Sequence, residues 1–535
     1  MLKTQSLSSL NVTMEQSTSA YVGESAEMCS PAKPSFWTGE VAVLIYWAAA
    51  AFVLHLALGQ RYGWHPDELA MLDDSRHLAW GYPAYPPLTA FLGRVAMVLF
   101  GHSLTSFRLF AALAESGAVL MTGLIARELG ARRGAQMLAA FAATPWCLLG
   151  GTAMRYSSFD YFFWVLSAYL LIRLLKSEDT RWWIPIGAVI GLGLMTKYTM
   201  CFFATALITS MLVTRARRFL VTRHFWYGVA VAFLIFLPNL LWQMRHHFIS
   251  LAFLHFIHQR DVASGRTMKF VHDQWQLTLL GMPLWLAGLY FYLFSRAGAR
   301  FRNLGIMYFV LLAVFMMAKS RGYYLVPSYP MLYAAGSVLG EQIIAAFGRR
   351  TWSVVARVGV RIIAWAALTV DVVFAGALFL PLAPINTHWG KVVMMINEDF
   401  REELGWQELT ETVAKIRDAM PEQDRARLGI LAMNYGEAGA MSLYGRQFGL
   451  PRVISGVDSF WQRGYGNPAP ETLIVLGASG SFVNSRFAGC QVSGHPRNRY
   501  RMPNSENQLH KDIFVCHGLL NQSWPEFWNT FQSFE

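Results

Sequence analysis

The sequence predicts a polytopic α-helical membrane protein of about eleven transmembrane helices, with a C-terminal α/β domain on its outer side. Three observations carry that prediction. The 535 residues are 54% hydrophobic and only 15% charged, with a mean hydropathy of +0.31, whereas a soluble domain is about a quarter charged. The basic residues behind the net charge of +12 fall in short loops between apolar runs. That is the pattern of cytoplasmic loops rather than of a groove for nucleic acid, so no nucleic-acid partner is expected. From about residue 384 the apolar runs stop and the composition becomes that of a soluble domain.

Residues 1–36 are rich in Ser and Thr and poor in hydrophobic side chains, and read as a disordered cytoplasmic tail. They lack the charged start and immediate apolar core of a cleaved signal, which makes 41–59 a retained anchor. The chain then emerges into HPDELAMLDDSRHLAWGYPAYPP, residues 65–87. Pro66 suits the first turn of a helix, and Asp67 and Glu68 sit where the helix dipole favours negative charge. The helical pattern runs to Trp80 and stops at Gly81, with Pro83, Pro86 and Pro87 beyond. On this helix Asp67 and Asp74 share one side, with Leu69, Leu72 and Trp80 on the other. The expectation is a short helix along the membrane surface; a capped, solvated helix is the plain alternative.

After a short apolar piece at 88–100, spans are expected at 107–129, 135–151, 161–175, 225–242, 274–294, 304–318, 325–347 and 362–382. Two short pieces, 182–195 and 198–213, are hinged at Thr196-Lys197 and read as two spans or as a hairpin entering partway. Residues 37–383 thus form the membrane domain, with 60–106 as its first outer loop, and 384–535 the outer domain. Residues 246–272 read as a further outer loop. Every basic cluster lies inside apart from Arg155, Lys197, Lys319 and Arg321. In the outer domain 428–434, 452–455 and 472–476 read as strands, 513–516 as a last candidate, and 436–448 as a helix.

This topology collects Asp67, Glu68, Asp74, Arg155, Asp160, Lys197, Lys319, Arg321, Tyr323 and Tyr324 on one outer face. A carboxylate acts as a base toward a hydroxyl when it is held close and partly desolvated. Cations at the membrane edge can hold a lipid-linked phosphate and stabilise it as a leaving group. Together they describe group transfer from a lipid phosphate carrier. Singly, each has a plainer reading: Lys197 snorkels, Arg321 anchors a loop, Asp160 caps a helix. Glu115 and Asp371 fall within spans, where charge is costly, and have no assigned role. Cys490 and Cys516 are the cysteines of the outer domain and can oxidise outside the cytoplasm, two buried thiols being the alternative. The five cysteines show no metal-ligand spacing.

Four segments then carry a family resemblance: PDELAMLDDSRHLAWGYPAYPPL, SFDYFFWVLSAYLLIRLL, GLGLMTKYT and KSRGYYLVPSYPMLYAAGS. In their order and spacing they resemble membrane glycosyltransferases of the GT-C superfamily. The resemblance is to the glycosyltransferase family 39-like bacterial proteins, related to protein O-mannosyltransferases and the lipid A aminoarabinose transferase. It continues through NYGEAGAMSLYG, LPRVISG and ENQLHKDIFVCHG, and so covers nearly everything after residue 40. It implies a multi-pass protein of the bacterial inner membrane with its active site and C-terminal domain on the periplasmic face. It also implies a polyprenyl-phosphate sugar donor and transfer with inversion to an envelope glycan, lipid or protein. Asp67 matches the family's general base, with Glu68 beside it, and Asp160 matches the aspartate of the second outer loop. Lys197, Arg321, Tyr323 and Tyr324, with Arg155, would face the donor phosphate. No cofactor is implied; the first loop lacks the Asp-x-Asp pair of the oligosaccharyltransferase branch, leaving a metal on His65, Asp67 and Glu68 as a minor alternative. Two other classes stay open, a flippase for a lipid-linked sugar and a non-catalytic envelope assembly protein. No internally repeated halves favour the flippase.

Overall fold

In a hydrocarbon environment backbone hydrogen bonds must close within the segment, so the apolar runs become helices. The computed structural model describes residues 39–347, 353–509 and 511–534; the tail expected at 1–36 lies outside them. The helices are α1 (Glu40–Leu58), α2 (Pro66–Arg76), α3 (Leu88–Phe100), α4 (Leu104–Glu128), α5 (Arg133–Gly150) and α6 (Tyr156–Ser177). They continue with α7 (Trp183–Leu194), α8 (Met200–Leu212), α9 (Arg223–Arg245), α10 (Ile249–Ala263) and α11 (Phe270–Thr278). Then follow α12 (Met282–Phe294), α13 (Arg302–Met317), α14 (Tyr329–Phe347) and α15 (Ser353–Phe379). Among the described residues 7 helical runs are long and apolar enough to cross a membrane: α1, α4, α6, α9, Phe270–Phe294, Ala299–Met317 and Val354–Phe379.

Close helix contacts are made by small residues, as expected where lipid removes the usual hydrophobic drive. A side chain at Gly288 of α12 would start 2.0 Å from the Leu332 carbonyl oxygen of α14. One at Gly187 of α7 would start 2.0 Å from the Gly228 oxygen of α9. At one end of the bundle Glu128 meets Arg173 and Lys176 at 2.8 and 2.9 Å, and Glu178 meets Arg218 and Arg300 at 2.8 and 2.6 Å. Arg155, Lys197 and Arg321, set apart in the sequence, lie instead with α2.

Three local expectations are corrected. The helix expected to reach Trp80 ends at Arg76, because His77 leaves helical geometry and the Tyr82 hydroxyl takes the Asp74 carbonyl at 3.1 Å. Residues 246–272, expected as an outer loop, are mostly helical, forming α10 and leading into α11. The span expected at 274–294 lies within the apolar run Phe270–Phe294, but its helix is not continuous: Leu279, with a φ of 34°, interrupts it ahead of Pro283.

Beyond α15 come α16 (His388–Ile396), α17 (Glu398–Glu402), α18 (Trp406–Asp418), α19 (Glu422–Ala426) and α20 (Tyr435–Tyr444). They surround a sheet of β1 (Leu428–Ala432), β2 (Val453–Ser455), β3 (Thr472–Leu476), β4 (Phe487–Gly494) and β5 (Ile513–Leu519), in the order β2-β1-β3-β5-β4. β1 runs parallel to β2 and β3, with Ile430 opposite Ile474; β5 is antiparallel to β3 and β4. β1 and β3 are buried throughout, which is why they read as continuous apolar runs. β4 escaped the sequence reading: FAGCQVSG has small and polar residues, and as an edge strand it is mostly exposed.

Cys490 and Cys516 face each other across β4–β5 and are disulfide-bonded. Peptide mapping without reductant should recover this pair linked, with Cys147 and Cys201 free. Replacing both by Ser should cost about 3 kcal/mol in a denaturant titration. Two free thiols at 490 and 516 would overturn that expectation.

Candidate functional site

The site is built around the entry to α2. His65 caps it in place of the usual Ser or Thr: its Nδ1 accepts from the Asp67 backbone N–H at 3.1 Å. Glu68 returns the cap, accepting from the His65 N–H at 3.1 Å. Pro66 at the first turn presets the backbone for the helix. The Glu68 carboxylate is fully buried and gripped by Arg108 of α4, with Nε to Oε1 at 2.8 Å and Nη2 to Oε2 at 2.6 Å. It also accepts from the Met154 N–H at 2.8 Å, while Arg108 donates to the carbonyls of Gly59 and Gly63 at 3.2 and 2.8 Å. Burial alone would raise the Glu68 carboxyl; the Arg108 charge and these hydrogen bonds outweigh it and hold it below its ordinary value.

Asp67 points the other way. Its side chain is 41% exposed, Oδ1 accepts from the Tyr435 hydroxyl at 2.9 Å, and Oδ2 lies 3.5 Å from both His65 Nδ1 and Arg155 Nε. Arg155 also donates from Nη2 to Asp399 at 2.8 Å. The Arg155 charge holds the Asp399 carboxyl well below the usual carboxylate range, against its burial. Glu403, next along the chain, stands 3.5 Å from Arg108, with the Gly63 N–H donating to it at 3.4 Å. Burial pushes Glu403 up to about 7; Arg108 opposes this and Glu68 adds to it.

A second cluster lies beside the first. Lys197, between α7 and α8, has its Nζ 4.5, 5.5 and 5.6 Å from the ring centres of Tyr324, Tyr323 and Tyr156. Such contacts hold a cation where water is scarce. Its nearest carboxylate is Asp160 at 3.8 Å, itself buried and accepting from Trp164 Nε1 at 3.0 Å and the Thr199 hydroxyl at 2.8 Å. Arg321 makes a two-pronged pair with buried Asp261, Nε to Oδ2 at 2.5 Å and Nη2 to Oδ1 at 2.8 Å. Gly322 follows because its backbone crosses Asp273, where any side chain would start 2.3 Å from the Asp273 Cβ. Tyr156 joins the two clusters: it follows Arg155 in the chain and carries its ring to Lys197.

The structure therefore gathers Asp67 with Arg155, and Asp160 with Lys197, Tyr323 and Tyr324, at one end of the bundle; Arg321 flanks them with Nη1 3.5 Å from the Tyr323 hydroxyl. Glu68 and Asp74 face inward instead. Asp74 accepts from Tyr85, Ser459 and Arg463 at 2.5, 2.6 and 2.6 Å, and Asp73 pairs with Arg463 and Ser442. The metal alternative on His65, Asp67 and Glu68 does not fit, because both Glu68 oxygens are already taken by Arg108 and two backbone N–H groups. Tyr156, Asp261, Asp399, Glu403 and Tyr435 were missed from the sequence. Only Asp261 had a signal, as an acid among the basic residues Arg260 and Arg266.

The chain is similar to known proteins in part of its sequence and in its fold. Residues 84–242 match a family profile described as dolichyl-phosphate-mannose-protein mannosyltransferase. That stretch contains Arg155, Asp160 and Lys197 but neither Asp67 nor Arg321. The chain is similar to the crystal structure of ArnT from Cupriavidus metallidurans bound to undecaprenyl phosphate, with a TM-score of 0.59 at 15% identity, over 89% of this chain and 98% of that one. The same protein in the apo state gives a TM-score of 0.55 at 17% identity, over 90% and 98%. No curated protein matches the sequence. Both findings bear out the resemblance carried by the motifs: residues 84–242 match the mannosyltransferase profile, and over most of its length the chain shares the fold of ArnT.

Glu403 gives the cluster a pH dependence. Its value in the folded protein lies above the ordinary 4.5, so its contribution to stability is complete below about 4.5 and fades as pH rises through about 7. Amide exchange across 398–405, corrected for intrinsic rate, should therefore be slower at pH 6 than at pH 8. Glu403→Gln should flatten the difference, and an unchanged difference in that variant would count against the assignment.

Proposed function

We propose that this protein transfers a sugar from a polyprenyl-phosphate donor to an envelope lipid, glycan or protein on the periplasmic face of the bacterial inner membrane. The reading rests on one juxtaposition: a half-exposed carboxylate, Asp67, beside cations held at the edge of the bundle, Arg155 and tyrosine-caged Lys197. The likeness to ArnT, crystallised with undecaprenyl phosphate, supports a donor of that class. On this reading the chain makes eleven crossings: the 7 long apolar runs plus α5, α7, α8 and α14. That count puts α2, Lys197, Arg321 and residues 384–535 on the outer side. It also leaves 37–383 as the membrane domain and 1–36 as a cytoplasmic tail.

The chemistry follows from the residues. The acceptor hydroxyl attacks the anomeric carbon from the side opposite the phosphate, so the configuration inverts. As the new C–O bond forms, the old bond to the phosphate oxygen breaks and its electron pair leaves with the polyprenyl phosphate. Asp67 takes the acceptor proton. Lys197, Arg321 and Arg155, with the Tyr323 and Tyr324 hydroxyls, offset the charge that develops on the leaving phosphate. Asp160 orients Lys197, and Glu68 fixes the helix that carries Asp67.

Asp67→Asn should keep donor binding and lose about 10²–10⁴ in turnover with purified protein in detergent. Parent-rate turnover in that variant would exclude the role, and movement of donor without release of polyprenyl phosphate would identify a flippase instead. Glu68→Gln should fail earlier, because it breaks the buried two-pronged pair with Arg108 and leaves only the longer contact to Glu403, a loss of about 3 kcal/mol of stability.

Lys197→Ala and Arg321→Ala should each weaken donor binding about tenfold or more, as loss of a charge-assisted contact does. Acceptor affinity should hold. Unchanged donor affinity in both would overturn the phosphate assignment.

A further inference from the structure

We infer that Tyr435, on the C-terminal α/β unit, is a positioning residue for the transfer step: it holds Oδ1 of Asp67 and leaves Oδ2 as the oxygen that takes the acceptor proton. This rests on the reading of Asp67 as the base. The Tyr435 hydroxyl donates to Oδ1 at 2.9 Å, whereas among the described residues Oδ2 has contacts of 3.5 Å, to His65 and Arg155. A carboxylate with one oxygen bonded and the other loosely held has one direction in which to accept a proton.

The tyrosine is held by an unusually direct contact between the two halves of the chain. Asp67 meets Tyr435, Leu69 meets Gly439, and Asp73 meets Ser442. The separation along the chain stays almost constant, 368 residues for the first pair and 369 for the last, so α2 and α20 run parallel in register. Glycine makes this possible. A side chain at Gly439 would start 2.6 Å from the Leu69 backbone, and one at Gly436 would start 3.2 Å from Pro66. At Gly439 α20 lies directly against the Leu69 backbone, and at Gly436 the Trp406 ring and Pro66 fill the space a side chain would take, which leaves the phenol little freedom to drift from the carboxylate. Asn434 caps α20 by accepting from the Glu437 N–H at 2.8 Å, fixing the turn on which Tyr435 stands.

Two parallel helices also bring both N-termini to Asp67. Each carries about half a positive charge there, and Arg155 adds a full one. Positive charge is thus gathered around a carboxylate that is 41% exposed and open to an acceptor. Far down the same helix, Arg463 pairs with Asp73 and Asp74 and locks the other end of α2 to the unit. The α/β unit is thus part of the site and not an appended module.

The test is Tyr435→Phe in the full-length protein in detergent, alone and combined with Asp67→Asn. The phenol-to-phenyl change keeps the ring, so melting temperature and donor affinity should match the parent. Turnover should fall about tenfold or more, the effect of about one hydrogen bond to a charged group. The acid limb of the kcat pH profile should move to higher pH, since the charged form has lost a donor. In the Asp67→Asn background the same change should cost nothing more, because the two residues act as one unit. Parent-like turnover and pH profile in Tyr435→Phe, with Asp67→Asn inactive, would overturn the positioning role and leave the base intact. An equal further loss in the double variant would also overturn it. Full activity of Asp67→Asn would instead remove the base itself.

Discussion

The buried pair of Glu68 and Arg108 is the interaction on which the rest depends. Taking two charges out of water costs several kcal/mol per ion, which their attraction offsets only when every remaining donor and acceptor is met. Here they are met: Arg108 also reaches Gly59 and Gly63, and Glu68 also accepts from His65 and Met154. The pair therefore joins the end of α1, the start of α2, the body of α4 and the approach to α6 at a single point. One residue in a helix turns the next by about 100°. With Glu68 committed inward, its neighbour Asp67 has to face outward. The position of the exposed carboxylate is set by the burial of the adjacent one.

The same logic divides the four acids of α2. Asp67 faces Arg155, Glu68 faces Arg108, and Asp73 and Asp74 share Arg463. The first two partners belong to the membrane part and the third to the α/β unit. A helix of 11 residues is thus held from both sides, too short to be stable alone and fixed by its ion pairs instead. Burial raises the Asp74 carboxyl, whereas hydrogen bonds from His77, Arg463 and Ser442 outweigh burial and lower that of Asp73. Neighbouring carboxylates under one guanidinium stay compatible because their surroundings differ.

How much of this was legible depended on distance along the chain. The apolar runs that became α1, α4, α6 and α9 needed only local composition. Arg155, Lys197 and Arg321 stood out as cations on the side that positive charge avoids, and the structure brings them to the end of the bundle that holds Asp67. What could not be read was pairing. Asp67 and Asp74 share a helix face in sequence, yet Asp74 ends under Arg463, 389 residues away. Tyr435 fell between the strand expected at 428–434 and the helix expected at 436–448, and its partner lies 368 residues earlier. Edge strand β4 failed for another reason: its small, exposed residues carry no alternation to detect. α10 was lost because its apolar residues do not gather on one face. Leu251, Leu254 and Phe256 are all exposed, while Phe253 and Asp261 are buried.

The two cations of the second cluster are not equivalent, and the difference bears on how a phosphate would be received. Arg321 has its Nε and Nη2 engaged by Asp261, which leaves Nη1, 3.5 Å from the Tyr323 hydroxyl, as the arm free of that carboxylate. Asp261 is shared with Arg260 and Arg266, at 4.0 and 3.6 Å, so the cluster keeps a net positive charge while the Arg321 fork is fixed in direction. Lys197 is 3.8 Å from Asp160, beyond hydrogen-bond reach, and its other close neighbours are aromatic faces. Rings attract a cation without accepting its N–H groups in the way an oxygen does. Asp160 meanwhile has its own donors in Thr199 and Trp164, so it offers Lys197 charge more than a bond. On the proposed reading Lys197, held by ring faces and the Asp160 charge rather than by a hydrogen bond, is the cation that meets the phosphate, and Arg321 the fixed one that orients it. A flexible ammonium can follow a leaving group as its bond lengthens; a guanidinium clamped by a carboxylate cannot.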